Sequence, residues 1–432
     1  MLISVLFTKR YDRDKKIMKI FLVGGAVRDR LLGLDVKDND WVVTGATPEM
    51  MIDLGFKAVG KDFPVFLHPT TSEEYALART ERKSGKGYHG FHFYAAEDVT
   101  LEQDIQRRDL TINALAEDEN GNIIDTVNGE ADLKNRILRH VSPAFAEDPV
   151  RILRIARFLA RFSSLGFRIA ADTMQLMKDM VEAGEVNELV AERVWQETSR
   201  ALTEPNPEQF IKALRECGAL KILFPEIDRL FGVPQPEQHH PEIDTGIHTL
   251  LVLQQACLLS PEPEVRFAAL THDLGKGTTD PEILPHHYGH EDRGYYLVKK
   301  LCTRYKVPKT YTQLAEITSK YHTHIHRALE VKPKTLLKVL EACDAFRRPE
   351  RFDNFLLACT ADSRGRPTYE KYPYEQADFF RMLLKEVSKV DVKDIVDAGF
   401  TGLQIREQLY QKRLKVVKLI RKNHDNNVPL QG

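Results

Sequence analysis

Leu22-Val23-Gly24-Gly25-Ala26-Val27-Arg28-Asp29, followed by Asp38-Asn39-Asp40-Trp41-Val42-Val43, is the stretch on which the first half of this chain turns. An apolar run ends in two glycines, a short helix follows, and a second apolar run begins at a pair of acids. If Asp40 opens a strand, Asp38 and Asp40 point to one face, because side chains alternate along a strand. Two carboxylates held together call for a cation between them. Oxygen ligands in ones and twos, with room for phosphate oxygens, suit Mg²⁺. Gly24-Gly25 lets backbone N–H groups approach an anion at a helix N-terminus, and Arg28 offers a phosphate-matching fork. Together these residues predict transfer of a nucleotide or phosphoryl group on Mg²⁺.

The chain has 432 residues, which predicts about two to four domains. Its composition is 42% hydrophobic and 29% charged with a formal net charge of −1, so nucleic-acid binding must come from local patches. Cys217, Cys257, Cys302, Cys343 and Cys359 show no C-x-x-C spacing. That excludes a disulfide framework and a thiolate zinc site, and it suits a reducing compartment. No apolar run approaches ~20 residues, so no membrane span is expected. Residues 1–17, ending in a highly charged run, are expected to be a disordered extension, with Met18 as the natural start.

Residues 18–140 alternate short strands and helices. Strands are predicted at Ile20–Val23, Trp41–Val43, Val65–Leu67, Tyr75–Ala78, Ala114–Ala116 and Ile123–Asp125. Thr47-Pro48-Glu49 reads as N-cap, N1 proline and early acid. Arg79 to His92 is basic and Gly-rich, fitting a mobile loop near a phosphate or a plain hairpin tip. From Asp148 onward helical periodicity replaces the strand pattern. The expected fold is α+β: a small mixed α/β head (18–140), an all-α neck (141–231), a helical body (232–365, core about 245–346) and a helical tail (366–432).

Arg107-Arg108-Asp109-Leu110-Thr111-Ile112-Asn113-Ala114 follows a helix-like Leu101–Gln106 and puts two arginines where they can clamp a triphosphate, with one polar strand face. Asp148 before Pro149 reads as N-cap and N1 proline. Arg151, Arg154 and Arg157 then recur every third residue on one helix side. A carboxylate beside a guanidinium, as Asp148 and Arg151 offer, matches the amine and ring nitrogen of cytosine or adenine and clashes with uracil or guanine.

These motifs, in this order, resemble the class II nucleotidyltransferases: the bacterial CCA-adding enzymes and the related poly(A) polymerases. The resemblance covers roughly 18–230. It implies that Asp38 and Asp40 bind Mg²⁺ and act in catalysis. It also implies that CTP or ATP lies against Gly25, Arg28, Arg108, Arg154 and Arg157, with Asp148 and Arg151 as the protein template. Glu192-Arg193-Val194-Trp195-Gln196-Glu197 would belong to the neck. A third carboxylate is common in this superfamily, and Glu74 and Glu81 are both candidates.

Ala269-Leu270-Thr271-His272-Asp273-Leu274-Gly275-Lys276 sets His next to Asp in what reads as an apolar helix. With His248 upstream and His287, His290, His322 and Asp344 downstream, it resembles the HD phosphohydrolases. Imidazole and carboxylate ligands suit a transition metal that activates water on a phosphate. His248, His272 and Asp273 are the expected metal ligands, and His272 and Asp273 the expected catalytic pair. An HD domain behind such a head and neck is similar to the gamma-proteobacterial CCA-adding enzymes. That similarity implies 2′,3′-cyclic phosphodiesterase, 2′-nucleotidase and phosphatase activities favoured by Ni²⁺. The expected partners are the tRNA 3′ end and acceptor arm, CTP and ATP. The expected state is a cytoplasmic monomer or weak homodimer without membrane attachment. The basic helix predicted near Lys412–Lys422 either contacts tRNA phosphates or is a solvated terminus. Two rivals remain: a poly(A) polymerase, and an HD phosphohydrolase whose head only binds RNA.

Overall fold

The computed structural model describes residues 18–59, 65–83, 91–238 and 240–427. Segment 1–17, and residues 84–90 of the basic 79–92 stretch, lie outside the described residues. The chain divides into two compact units, Met1–Leu189 and Val190–Gly432, a division that falls inside 141–231.

The first unit is built on a sheet. Its strands are β1 (Lys19–Val23), β2 (Asp40–Thr44), β3 (Lys57–Val59), β4 (Val65–Leu67), β5 (Glu74–Leu77), β6 (Thr80–Lys83), β7 (Phe91–Tyr94), β8 (Ala116–Glu117), β9 (Ile123–Ile124), β10 (Ile137–Leu138) and β11 (Arg168–Ile169). Seven of them form one sheet in the order β3-β4-β5-β2-β1-β8-β9, while β6–β7 and β10–β11 pair separately. Only the β2–β5 pair in the large sheet is parallel.

Alternation divides the sheet cleanly into two faces. Phe21, Val23, Val42 and Ala116 pack on one side with Val99, Leu101 and Ile105. Val43, Tyr75 and Leu77 pack on the other with Met51, Phe56 and Phe66. Register places Asp40 beside Val23 on β1 and Glu74 on β5. The first face is therefore apolar along its length and ends in two carboxylates.

Five of the six predicted strands fall on observed ones within a residue at each end. The sixth, Ala114–Ala116, does not: Thr111–Asn113 is a 3₁₀ turn and β8 starts at Ala116. Short polar side chains explain the turn, because they bond locally and compete with the ladder. Asp109 Oδ1 accepts from Leu110 N (2.8 Å) and Asn113 Nδ2 (3.1 Å), and Thr111 Oγ1 donates to Asp132 (2.8 Å). These groups are buried, so the expected polar strand face does not exist.

The second unit is helical. Helices Thr245–Leu259, Pro263–Thr271, His290–Arg304, Lys309–His326 and Pro349–Arg364 form its centre. Val252, Ala256, Ala269 and Ala361 let three of these helices approach closely. Trp195, from the helix Ala191–Thr203, packs edge-on against Phe267 (5.4 Å) and Tyr311 (5.0 Å). The terminal helix Leu403–Asn427 buries Leu414 and Val417. Its Arg413 lies over Phe346 (3.8 Å to the ring centre) and Arg421 donates to the Ala328 carbonyl (2.9 Å), while Lys415, Lys418 and Lys422 are exposed.

Candidate active sites

The head cleft is lined by Val23, Asp40, Trp41, Val42, Val65, Glu74, Ala76, Arg79, Arg107 and Arg108. Asp38 lies in the loop two residues ahead of β2 rather than on the strand. Solvent reaches Asp40, yet its pKa is raised by burial and by the charge of Glu74, with Asp38 adding and Arg108 opposing. Like charges gathered in this way suit a hard cation. Asp38, Asp40 and Glu74 are not among the tight three-ligand groups that the described residues form. Of the two candidates for a third carboxylate, Glu74 stands in the cleft; its partnership with Asp40 follows from sheet register, which the sequence does not display.

The arginines are held by an acid that sequence reasoning missed. Thr100 and Gln103 form a reciprocal capping box at the start of helix Leu101–Gln106. This fixes Asp104, fully buried, one turn before the arginine pair. Its Oδ1 accepts from Arg107 (2.7 Å) and its Oδ2 from Arg108 (3.1 Å). Burial would raise the Asp104 pKa; the two guanidinia overcome that and lower it. The i, i+3 and i, i+4 spacing to Arg107 and Arg108 was the available signal. Gly24 has φ +71°, and a Cβ there would lie 3.2 Å from Arg108 Nη1. The glycine thus allows both the turn and the approach of that guanidinium.

Other predicted nucleotide contacts are engaged within the protein. Arg28 is 3% exposed, pairs with Asp29 (2.7 Å) and Asn113, and lies over Phe162 (4.9 Å). Arg154 pairs with Asp109 (2.6 Å). Burial works against the charged Asp109 carboxyl, but Arg154, Asn113 and Arg151 hold its pKa well below the usual range. Arg157 is buried over Phe158 (4.6 Å). The helix begins at Val150, one residue later than expected, and Asp148 Oδ1 accepts from Val150 N (3.1 Å). Arg151 donates to the carbonyls of Ala144 (2.9 Å) and Arg107 (2.6 Å).

In the second unit His272 and Asp273 lie past a helix end, not inside a helix: Pro263–Thr271 stops, and a 3₁₀ turn Leu274–Thr278 follows. Around them the structure gathers two tight ligand groups, His248–His272–Asp362 and Asp273–His290–His322, all six buried. Asp362 was not anticipated; it sits in an apolar stretch of helix Pro349–Arg364, where a buried acid was the readable signal. Asp344 belongs elsewhere, 3.6 Å from Arg348 at a turn with φ 53°. His287 bonds with Thr279 (2.8 Å) and the Pro234 carbonyl (3.0 Å) and joins neither group.

The chemistry of the cluster fits a metal. His272 Nδ1 faces the Ala269 carbonyl (2.7 Å) and His248 Nδ1 faces Glu242 Oε1 (2.8 Å). Carbonyls and carboxylates only accept, so Nδ1 carries the proton and Nε2 presents a lone pair. Those lone pairs face Asp362 Oδ1 at 3.5 and 3.0 Å. Burial would lower the His272 pKa, but Asp273 and Asp362 push it up to about 10, which expresses the same demand for positive charge. A further group, His240–Glu242–His248, differs: both imidazoles turn Nδ1 toward Glu242 (2.9 and 2.8 Å). His240 hydrogen-bonds to Glu242, while His248 Nδ1 is in ion-pair range of the same oxygen without hydrogen-bond geometry, so Glu242 stands behind His248 as a charge partner. His326 supports Asp362 in the same way, through Nε2 (2.7 Å), and its Nδ1 accepts from Tyr374 (2.7 Å).

Comparison with known proteins finds three family matches along the chain. Residues 20–139 match the family described as "Poly A polymerase head domain", 166–231 that described as "Probable RNA and SrmB- binding site of polymerase A", and 245–348 the HD domain. Asp362 lies beyond the last match. The fold is similar to that of a CCA-adding enzyme solved with ATP (22% identity, 93% of this chain and 86% of that one, TM-score 0.64). It is also similar to the Bacillus stearothermophilus CCA-adding enzyme in complex with CTP (22% identity, 93% and 89%, TM-score 0.61). A CCA-adding nucleotidyltransferase fold with an HD metal-binding domain is thereby defined. The "Multifunctional CCA protein" of Thioalkalivibrio sulfidiphilus is 60% identical over 404 residues, 94% of this chain and 99% of the relative. That of Teredinibacter turnerae is 61% identical over 404 residues, 94% and 98%. The chain belongs to the family of multifunctional CCA proteins. No helix among the described residues is long and apolar enough to cross a membrane.

Proposed function

We propose that the first unit adds C, C and A to the 3′ end of tRNA from CTP and ATP, releasing pyrophosphate. The observation that carries this reading is the cleft in which Asp40 and Glu74 face Arg107 and Arg108. Asp38 and Asp40, with Glu74, would hold Mg²⁺, which when bound polarises the α-phosphate and lowers the pKa of the terminal hydroxyl. Asp104 aims Arg107 and Arg108 at the place where pyrophosphate charge develops, so little reorganisation accompanies transfer. Gly25, with no side chain, leaves the backbone amides at the helix start open to phosphate. Asp148 and Arg151 read the base edge, with Arg154 and Arg157 flanking. For this, Arg151 exchanges a carbonyl partner for the nucleotide, and Arg28 contacts phosphate only by opening its pair with Asp29 or Asn113.

The second unit hydrolyses phosphate esters as a 2′,3′-cyclic phosphodiesterase, 2′-nucleotidase and phosphatase. His248, His272 and Asp362 would hold a transition metal, which imidazole ligands suit; Ni²⁺ is the metal that the likeness to HD-bearing CCA-adding enzymes implies, and Asp273 adjoins them. Lys276, on Asp273 (2.7 Å) and Gln235 (2.6 Å), puts a cation where a departing phosphate needs one. The protein works in the cytoplasm, where its five free cysteines stay reduced, as a monomer or weak homodimer that recognises the tRNA acceptor arm by shape and phosphate.

Incubation with tRNA ending at the discriminator base and CTP alone tests the first activity. Incorporation of C is expected. Its absence, with poly(A) synthesis from ATP, selects the polymerase alternative. Asp40→Ala is expected to abolish addition and leave hydrolysis of a 2′,3′-cyclic nucleotide unchanged.

A further inference from the structure

Two exposed aromatic rings stand beside the HD cluster. Tyr288 is 71% exposed. His286, also exposed, stacks on it with ring centres 5.7 Å apart and planes 24° from parallel. Each ring gives one face to the other, and solvent covers the rest. A tyrosine so exposed adds little to a core, because the gain from an apolar ring scales with the area removed from water.

The chain sets this pair next to the cluster. Tyr288 precedes His290 by two residues, and His290 Nε2 lies 3.4 Å from Asp273 Oδ1. Two residues of chain span at most about 7 Å, a gap that the sugar of a nucleotide bridges.

The segment is also held from the other side. Arg293 donates to the Tyr288 carbonyl (2.7 Å), to Thr278 Oγ1 (3.1 Å), to Thr279 Oγ1 (3.1 Å) and to the Gly275 carbonyl (3.4 Å). One guanidinium thereby clamps the Tyr288 backbone to the turn that follows Asp273. His287, between the two rings in sequence, bonds with Thr279 Oγ1 (2.8 Å) and the Pro234 carbonyl (3.0 Å). The backbone that carries the pair is thus fixed before any ligand arrives, and little ordering cost is left for binding.

Chemistry selects the ligand. Aromatic side chains stack nucleobases, and every base has a π-face to offer. Lys276, 2.7 Å from Asp273 Oδ2, supplies positive charge for a phosphate at the cluster. A phosphate centre with an aromatic platform one sugar away matches a nucleotide phosphorylated on its ribose.

We propose that His286 and Tyr288 form a base platform for the HD unit, on which the nucleobase of a 2′-phosphorylated or 2′,3′-cyclic nucleotide stacks while its phosphate lies at the cluster. The inference rests on the phosphohydrolase reading of this unit and adds what selects its substrate. The platform favours nucleotides over base-free phosphate esters through affinity, not through the chemical step.

The test compares hydrolysis of adenosine 2′-phosphate and glycerol 2-phosphate by the full, metal-loaded chain. Both are monoesters of a secondary alcohol, and only the first carries a base. Tyr288→Ala is expected to raise KM for adenosine 2′-phosphate about tenfold, the worth of one stacked base. Its kcat is expected to stay within about twofold, as loss of uniform binding requires. Tyr288→Phe, which keeps the ring, is expected to keep the parent's KM. Glycerol 2-phosphate is expected to be hydrolysed alike by all three chains, which also shows that the variants are folded. An unchanged KM for adenosine 2′-phosphate in Tyr288→Ala, or an equal loss on both esters, overturns the platform and leaves the phosphohydrolase reading standing. Hydrolysis of neither ester by the parent overturns the phosphohydrolase reading itself, and the platform with it.

Discussion

At the residue scale, buried carboxylates carry the arrangement of both sites. Asp104 holds Arg107 and Arg108 from inside the protein. Asp104→Asn should cost roughly 2 kcal/mol, on the low side for a buried pair because both guanidinia keep some contact with solvent. Denaturant unfolding measures the loss, and a change near zero would show that the arginines find other partners. Asp104 and Asp109 also set the acid response. Their folded pKa values are lowered, so their stabilisation is complete above an unfolded value of about 4. It is lost as pH falls through the folded values. Circular dichroism between neutral pH and pH 2 should show the parent losing stability below about pH 4, with a shallower slope in Asp109→Asn. Asp104 and Asp362 escaped sequence reading, although the spacing of Asp104 to Arg107 and Arg108 and the acid in an apolar helix stretch at Asp362 were there to be read; Glu74 was a sequence candidate, and strand register set it beside Asp40.

At the element scale, the informative contacts are those where two backbones nearly touch. Helix His290–Arg304 lies against helix Lys309–His326 because Gly294 has no side chain. Gly294→Ala should destabilise the second unit by about 1–3 kcal/mol, the usual cost of overpacking. Denaturant unfolding of the full chain reads the loss, and an unchanged midpoint would argue that the helices re-pack around the added methyl. Local pattern found helix Leu101–Gln106, the Thr47 cap and five strands, because periodicity and capping are properties of neighbouring residues. It failed at Thr111–Asn113, where side chains bonded to the backbone took the place of a ladder. It also passed over β3, β6, β7, β10 and β11, runs of two to four residues in which a period barely shows.

At the scale of the whole molecule, two chemistries occupy two compact units. His272→Ala should abolish cyclic-nucleotide hydrolysis and leave CTP incorporation within about twofold, since the two sites share no residue or partner. A parallel loss of both activities in a folded variant would mean that the units are coupled. The sequence by itself determined the class of the protein: a diglycine turn, paired acids, two arginine motifs and a His-Asp dipeptide are contiguous strings, and each states its chemistry locally. It also determined the α+β order of a mixed head followed by helices. Only the tertiary structure decided how the charges are shared. Register set Glu74 beside Asp40, packing tied Arg28 and Arg154 to Asp29 and Asp109, and helix crossings separated the histidines into two groups while excluding Asp344. The physical reason is range: periodicity and capping act over a few residues, whereas ligand groups and ion pairs join residues far apart in the chain, as His248 and Asp362 are at 114 positions.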